Sequence, residues 1–259
     1  MLIKINRITL LFLLSILLFA STVLSQTPTE YEQTLPLNKD GTVSINTYKG
    51  SIRVETWDKA EVYFHAKVEP DTDGWNNTSP EEQLEKCKVE FDHSQNYLSI
   101  ESDYVKNHGG SETRAFVHYT IKMPATASLR IDDYKSKTHI NNLKSDIDLE
   151  TYKGLVNIIN YSGKLDLETY KGTVEIDYSD LGHSCKLETY KGDFLLTLPS
   201  NSKFDFDFDL GRKGDFESDF EMTMNRYKSD DGEVYGSVNG GGPKIGFSTY
   251  KGEIRLEKK

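Results

Sequence analysis

One tetrapeptide, Thr-Tyr-Lys-Gly, occurs five times in this chain, at 47–50, 151–154, 169–172, 189–192 and 249–252, with a degenerate copy at Asp133-Tyr134-Lys135-Ser136. Self-similarity at a fixed period is the signature of a repeat architecture, and it restricts the fold more than composition does. Tyr134, Tyr152, Tyr170 and Tyr190 are spaced 18, 18 and 20 residues apart. Half-period echoes stand at Asn160-Tyr161-Ser162-Gly163 and Asp177-Tyr178-Ser179-Asp180. The unit is therefore about 18 residues long and made of two similar halves.

Each copy lies between two short alternating segments. Ile147 and Leu149 precede one copy and Val156 and Ile158 follow it; Leu165, Leu167, Val174 and Ile176 do the same around the next. Period-two alternation marks strands with one buried face. The tetrapeptide then reads as a corner, with Gly154, Gly172 and Gly192 available for positive φ. Leu149 to Val156 is an odd step of seven, so the corner has to reverse side-chain parity to keep both segments facing inward. A stacked β-solenoid and an antiparallel meander both accommodate this pattern. Strict identity of the corner favours the solenoid, because stacked coils bring equivalent residues about 4.8 Å apart, where like side chains form ladders.

Residues 60–127 break the repeat. Ser79-Pro80-Glu81-Glu82 is a capping box with proline at the first helical position, which predicts a short helix near 80–88 carrying Leu84 and Cys87 on its apolar face. Lys88–His93, Tyr97–Tyr104 and Ala115–Met123 alternate as strands, so the region reads as an elaboration packed on the same sheet system. In 203–220, Phe204, Phe206 and Phe208 alternate with Asp205, Asp207 and Asp209, giving an aromatic inner face and a wet outer one.

The first 25 residues read as a signal peptide: Lys4 and Arg7 precede an apolar run from Ile8 to Ala20, and Val23-Leu24-Ser25 fits a cleavage site. The run is shorter than the roughly 18 to 20 residues that span a bilayer. Residues 26–39 then read as a linker and 40–259 as the repeat domain, with no transmembrane segment left after cleavage. Removing Lys4 and Arg7 leaves 29 basic residues against 41 acidic and deepens the formal charge from −10 to −12. Such a balance argues against sequence-independent nucleic-acid binding, which needs a surplus of Lys and Arg. The expected location is outside the cytoplasm: periplasm, cell surface or medium.

Several stretches together resemble one known family: Gly50–Val62 with Trp57-Asp58, the capped helix and its following strands, Met123-Pro124 to Leu129, the repeats, and Gly214–Phe220 through Val238-Asn239-Gly240-Gly241-Gly242-Pro243 to Ile254. This order of motifs is similar to the DUF4097 family of adhesin-like β-strand-repeat proteins of bacterial envelopes, over about 40 to 259. The resemblance implies an all-β, right-handed β-solenoid, similar to a single-stranded parallel β-helix, with a short helix in its N-terminal half. It implies a cell-envelope role and, for some relatives, a link to envelope-stress responses, but no reaction and no catalytic set. The expected function is a non-enzymatic binding or structural module. The rival enzymatic reading is a polysaccharide lyase or hydrolase built on a β-helix, since carboxylates are plentiful.

In a solenoid, Tyr134, Tyr152, Tyr170 and Tyr190 stack along one edge with Lys135, Lys153, Lys171 and Lys191 beside them. Such a stripe suits an envelope glycan or an acidic chain, through stacking and hydrogen bonding, and the expected partner is an envelope glycan or another envelope protein. The purely structural alternative is that Tyr braces the corners while Lys offsets Glu150, Glu168 and Glu188, three residues earlier. Cys87 and Cys185 both read as core positions, and the sequence leaves a disulfide between them open. Asp205, Asp207 and Asp209 read as a solvated face rather than a metal site, Gly240-Gly241-Gly242-Pro243 reads as a turn, and no cofactor is expected. His183-Ser184-Cys185 stands without any nucleophile-elbow or metalloprotease motif.

Overall fold

The computed structural model describes residues 29–72, 78–104, 114–226 and 232–259. The signal peptide expected over 1–25 lies outside the described residues. Five long strands carry a tetrapeptide copy in their middle: β2 (Thr42–Trp57), β7 (Ser128–Asn141), β8 (Ile147–Tyr161), β9 (Leu165–Tyr178) and β10 (Cys185–Leu198). They lie parallel in the order β2-β7-β8-β9-β10, each half of a strand beside the matching half of its neighbour. Between β8 and β9 the register matches Leu149 to Leu167, Thr151 to Thr169, Lys153 to Lys171 and Ile158 to Ile176. Parallel, in-register pairing is the solenoid solution and rules out the meander for these coils.

The alternation sets which residues enter the core. In β8, Ile147, Leu149 and Thr151 face inward, Tyr152 and Lys153 both face solvent, and Val156 and Ile158 face inward again. Two consecutive outward residues make the parity reversal that the seven-residue step demands. The glycines act differently from expectation, because Gly154, Gly172 and Gly192 do not adopt positive φ. They are needed for close approach: a Cβ on Gly172 would lie 2.4 Å from the carbonyl oxygen of Gly154, and one on Gly154 2.6 Å from that of Ser136. Gly50 of the first copy does adopt positive φ (141°), and positive φ also occurs at the return corner, at Asn142 (60°) and Asn160 (55°), where the Asn160 amide donates to Asn142 Oδ1 at 2.7 Å. Asparagine tolerates the left-handed region better than other side chains.

Spatial order departs from chain order at the C-terminus. The last coil, β15 (Lys244–Thr249) and β16 (Glu253–Lys258), pairs in parallel with the two halves of β10. β11 (Phe204–Asp209) and β12 (Asp215–Ser218) pack on its outer side, so the last coil is inserted between β10 and a segment that precedes it in the chain. β13 (Met222–Arg226) and β14 (Glu233–Val238) finish that end antiparallel. At the other end β6 (Phe116–Pro124), β3 (Glu61–Glu69) and β1 (Glu30–Pro36) extend one half of β2, and β5 (Tyr97–Tyr104) with β4 (Cys87–Ser94) extends the other. One continuous hydrophobic core runs from Leu37 to Leu256, and Phe194, Phe204, Phe206, Phe208 and Phe247 fill its C-terminal part.

Two local readings change. Within the stretch expected to be a linker, Glu30–Pro36 is strand β1 and Leu37 is buried, because β3 offers a free edge and Leu37 reaches the core. Helix α1 spans only Pro80–Glu85, capped by Ser79 Oγ accepting from Glu82 N at 3.2 Å. Cys87 opens β4, and the buried helical residue is Gln83. Its amide bonds the backbone of Asp71 and Thr78, which satisfies the polar group inside.

Candidate functional site

The inserted last coil makes the corner motif contiguous. Tyr48, Tyr134, Tyr152, Tyr170, Tyr190 and Tyr250 form one stack, with successive ring centroids 4.6, 4.8, 4.7, 5.1 and 5.0 Å apart and interplanar angles of 6° to 11°. The four tyrosines expected to stack are its interior, and Tyr48 and Tyr250 were missed as members. Their identical tetrapeptides were the available signal, but 86 residues separate Tyr48 from Tyr134 and 60 separate Tyr190 from Tyr250. At the Tyr48 end, the Arg114 guanidinium carbon sits 3.9 Å from the ring centroid, and Tyr104 meets the same ring edge-on at 6.0 Å. Rings stacked this closely turn their π faces toward each other, so solvent meets ring edges and hydroxyls rather than faces.

The following lysines make a second line. Lys135, Lys153, Lys171, Lys191 and Lys251 are all exposed, and Lys153 and Lys191 hold their ammonium groups 5.1 Å from their own tyrosine rings. Lys49 leaves the line: it is 8% exposed, 2.5 Å from Asp71 Oδ2, and 4.2 Å over the Phe116 ring. The charge offset expected between the ladder lysines and Glu150, Glu168 and Glu188 is not formed among the described residues. The tyrosine ridge stands between the two columns, and Glu188 pairs with Lys186 at 2.7 Å instead.

The ridge thus has two unlike flanks. On one side a shallow groove of about 510 Å³ has Asp132, Glu150 and Glu168 in its lining, with Arg114 at the Tyr48 end. On the other a trough of about 440 Å³ is lined by Lys171, Lys191 and Lys251 together with Gly172, Gly192, Gly252, Thr173 and Asp193. Beneath the ridge lies an inward column of Thr47, Asp133, Thr151, Thr169, Thr189 and Thr249, all buried. Asp133 accepts from Ser136 N at 2.8 Å, Ser136 Oγ at 2.6 Å, Thr151 Oγ1 at 2.9 Å and Lys135 N at 3.2 Å. Burial raises its pKa from the ordinary aspartate value, against the lowering effect of these donors. Thr47 joins Ser102 at 3.1 Å and through it Tyr119 at 2.6 Å. The hydroxyls of Thr169, Thr189 and Thr249 are buried without a partner.

The remaining candidates are occupied structurally. Cys87 and Cys185 are free and buried on different parts of the array, Cys185 in register with Leu165 and Ile245 and Cys87 with Tyr104. Burial pushes their thiols up to about 11 and about 12. Asp207 pairs with Lys244 at 2.6 Å and Asp209 accepts from Gly211 N at 3.0 Å, so the aspartate line is a surface face. Asn239, Gly240 and Gly241 turn at φ 52°, 90° and 83°. Among the described residues no helix is long and apolar enough to cross a membrane.

The family model described as Toastrack DUF4097 matches residues 19–257. A crystal structure from Clostridium sporogenes, described as a "putative cell adhesion protein", aligns over 89% of this chain and all of its own at 10% identity with a TM-score of 0.50, which speaks to the fold alone. A second, a "putative adhesin" from Bacteroides fragilis, aligns over 90% of this chain and 99% of its own at 10% identity and a TM-score of only 0.31. No curated protein matches the chain.

Proposed function

The chain belongs to the Toastrack DUF4097 family, and from that premise we propose that it is a non-enzymatic, adhesin-like binding module of the bacterial envelope that holds an extended glycan along its tyrosine-lysine ridge. Export rests on the signal-peptide pattern of residues 1–25. The coils are taken as right-handed, the hand of nearly all crossovers between parallel strands of one sheet. The observation that carries the reading is the uninterrupted stack of six tyrosines with exposed lysines beside it. It offers hydroxyls and ammonium groups at the coil repeat over a continuous line, which suits a polymer lying along the solenoid axis. The buried carboxylate under the ridge, Asp133, is committed to four donors within the fold. That supports a binding rather than a chemical role for this surface.

The test replaces Tyr152, Tyr170 and Tyr190 with Phe, which keeps the stack and removes three hydroxyls. At about 0.5–1.5 kcal/mol per hydrogen bond, retention on an immobilised envelope-glycan panel should fall by roughly tenfold or more while the urea midpoint stays within error. Unchanged retention, with the corresponding Ser variants also unchanged, would exclude the ridge as the binding surface.

A further inference from the structure

We infer that the polymer the ridge takes is an anionic glycan, seated on the lysine side of the tyrosine stack and held chiefly at the Lys135–Lys171 end. This inference rests on the reading that the ridge is the binding surface and adds the chemical class, side and register of its ligand. Neutral sugars bind aromatic side chains through ring faces, and here both faces of Tyr134, Tyr152, Tyr170 and Tyr190 are used up within the stack. What remains outward is the positive rim of each ring and its hydroxyl donor, both of which favour anionic oxygens.

The charges beside the stack point the same way. Lys135, Lys171 and Lys251 have no side-chain partner among the described residues, and Lys153 and Lys191 contact only their own rings. Across the ridge, Asp132, Glu150 and Glu168 outnumber the one cation of the other groove, Arg114 at its Tyr48 end, and repel a polyanion from it. The acidic balance of the whole chain confines it further to the lysine line. Five lysines at the coil repeat cover four steps of about 4.8 Å, or about 19 Å, so the ligand is a chain rather than a single sugar.

The lysine line continues toward Lys135 beyond the trough that Lys171, Lys191 and Lys251 line, and the column two residues after each lysine sets the polarity of the site. In register across the coils it presents Lys137, Leu155, Thr173, Asp193 and Glu253. The lysines at the N-terminal end therefore face a cation or neutral groups, whereas Lys191 and Lys251 face carboxylates. Asp193 Oδ1 accepts from Glu253 N at 3.1 Å, which fixes the first of these carboxylates at its place.

The test uses the whole mature chain with polygalacturonate oligomers of graded length and their fully methyl-esterified, uncharged counterparts, measured by calorimetry over a salt series. The charged series should bind at least tenfold more tightly, with affinity climbing as the oligomer lengthens and levelling off once it spans about 19 Å. The salt slope should report counterion release, and Lys135→Gln, Lys153→Gln or Lys171→Gln should each lower it by up to about 1. Lys191→Gln and Lys251→Gln should change it less. Equal, salt-insensitive binding of charged and esterified oligomers that still falls in the Tyr→Phe variant would overturn the charge inference while keeping the ridge. Binding of either series that ignores both the lysine and the tyrosine variants would overturn the ridge reading itself.

Discussion

Thr151 and Thr169 occupy equivalent places in adjacent coils, yet the same substitution should have opposite effects at the two positions. Both are buried and point inward beneath the tyrosine stack, in register with each other. Thr151 Oγ1 donates to the Asp133 carboxylate at 2.9 Å, whereas Thr169 Oγ1 has no partner. Valine keeps the β-branched shape and removes only the hydroxyl. Thr169→Val should therefore recover the cost of burying an unpaired group, about 1–3 kcal/mol, and Thr151→Val should lose a bond to a charged acceptor worth about 1.5–3 kcal/mol. The two variants should differ by at least about 2.5 kcal/mol, with wild type between them. Urea unfolding followed by circular dichroism measures this, with midpoints compared where the slope is unchanged. The gap should also depend on pH. Burial raises the pKa of Asp133 in the fold, so the stability associated with its neutral form is present below the ordinary aspartate value of about 3.9 and is lost as pH rises through the higher folded value. The deficit of Thr151→Val should accordingly shrink as pH falls below that value. A Thr169→Val variant that unfolds at lower urea than wild type would show that its hydroxyl is bonded, and the reasoning would fail.

The glycine and cysteine assignments give two further tests. Gly172→Ala places a Cβ 2.4 Å from the Gly154 carbonyl oxygen, an overpacking expected to cost about 1–3 kcal/mol or more in urea unfolding. Gly182→Ala meets only an aspartate oxygen at 3.2 Å and should stay within about 0.5 kcal/mol; equal effects would remove close approach as the reason for the corner glycine. Cys87 and Cys185 are free, buried and raised to about 11 and about 12, so at pH 8 at most about one thiol in a thousand is ionised. The native protein should resist a thiol reagent at pH 8 and the denatured protein should titrate two thiols without reductant. Fewer than two would mean a disulfide.

The sequence made the coil visible and hid the order of coils. Alternation around Ile147, Leu149, Val156 and Ile158, together with the odd step across Tyr152-Lys153, was enough to place inward residues and the parity reversal, because those follow from strand geometry alone. The stack of Tyr134, Tyr152, Tyr170 and Tyr190 was legible for the same reason. Its ends were not, because Tyr48 and Tyr250 join through coils far away in the chain, and local pattern carries no information on which edge a distant strand will choose. The linker reading failed on a tertiary event, the pairing of Glu30–Pro36 with β3. The glycine reading failed because the close approach of a neighbouring coil and a demand for positive φ leave the same residue in the sequence.

The tetrapeptide also separates what stacking requires from what it does not. From Gly154 onward, each copy of the tetrapeptide stacks its tyrosine on that of the preceding coil, and a Cβ on its glycine would strike that coil, as at Gly172, Gly192 and Gly252; the degenerate copy carries Ser136 there instead. The segment around Gly211-Arg212-Lys213-Gly214 lies outside the last coil and lacks the motif, as expected of a position where the ladder has ended. Packing thus accounts for the tyrosine and the glycine. It does not account for the lysine, which reaches solvent in five coils and, among the described residues, pairs with a carboxylate only where Lys49 turns inward to Asp71. A solvent-facing corner position accepts many polar residues at little cost to stability. The presence of the same cation in every coil of the stack, without a carboxylate partner among the described residues in five of the six, is what the proposed ligand would explain and the packing does not.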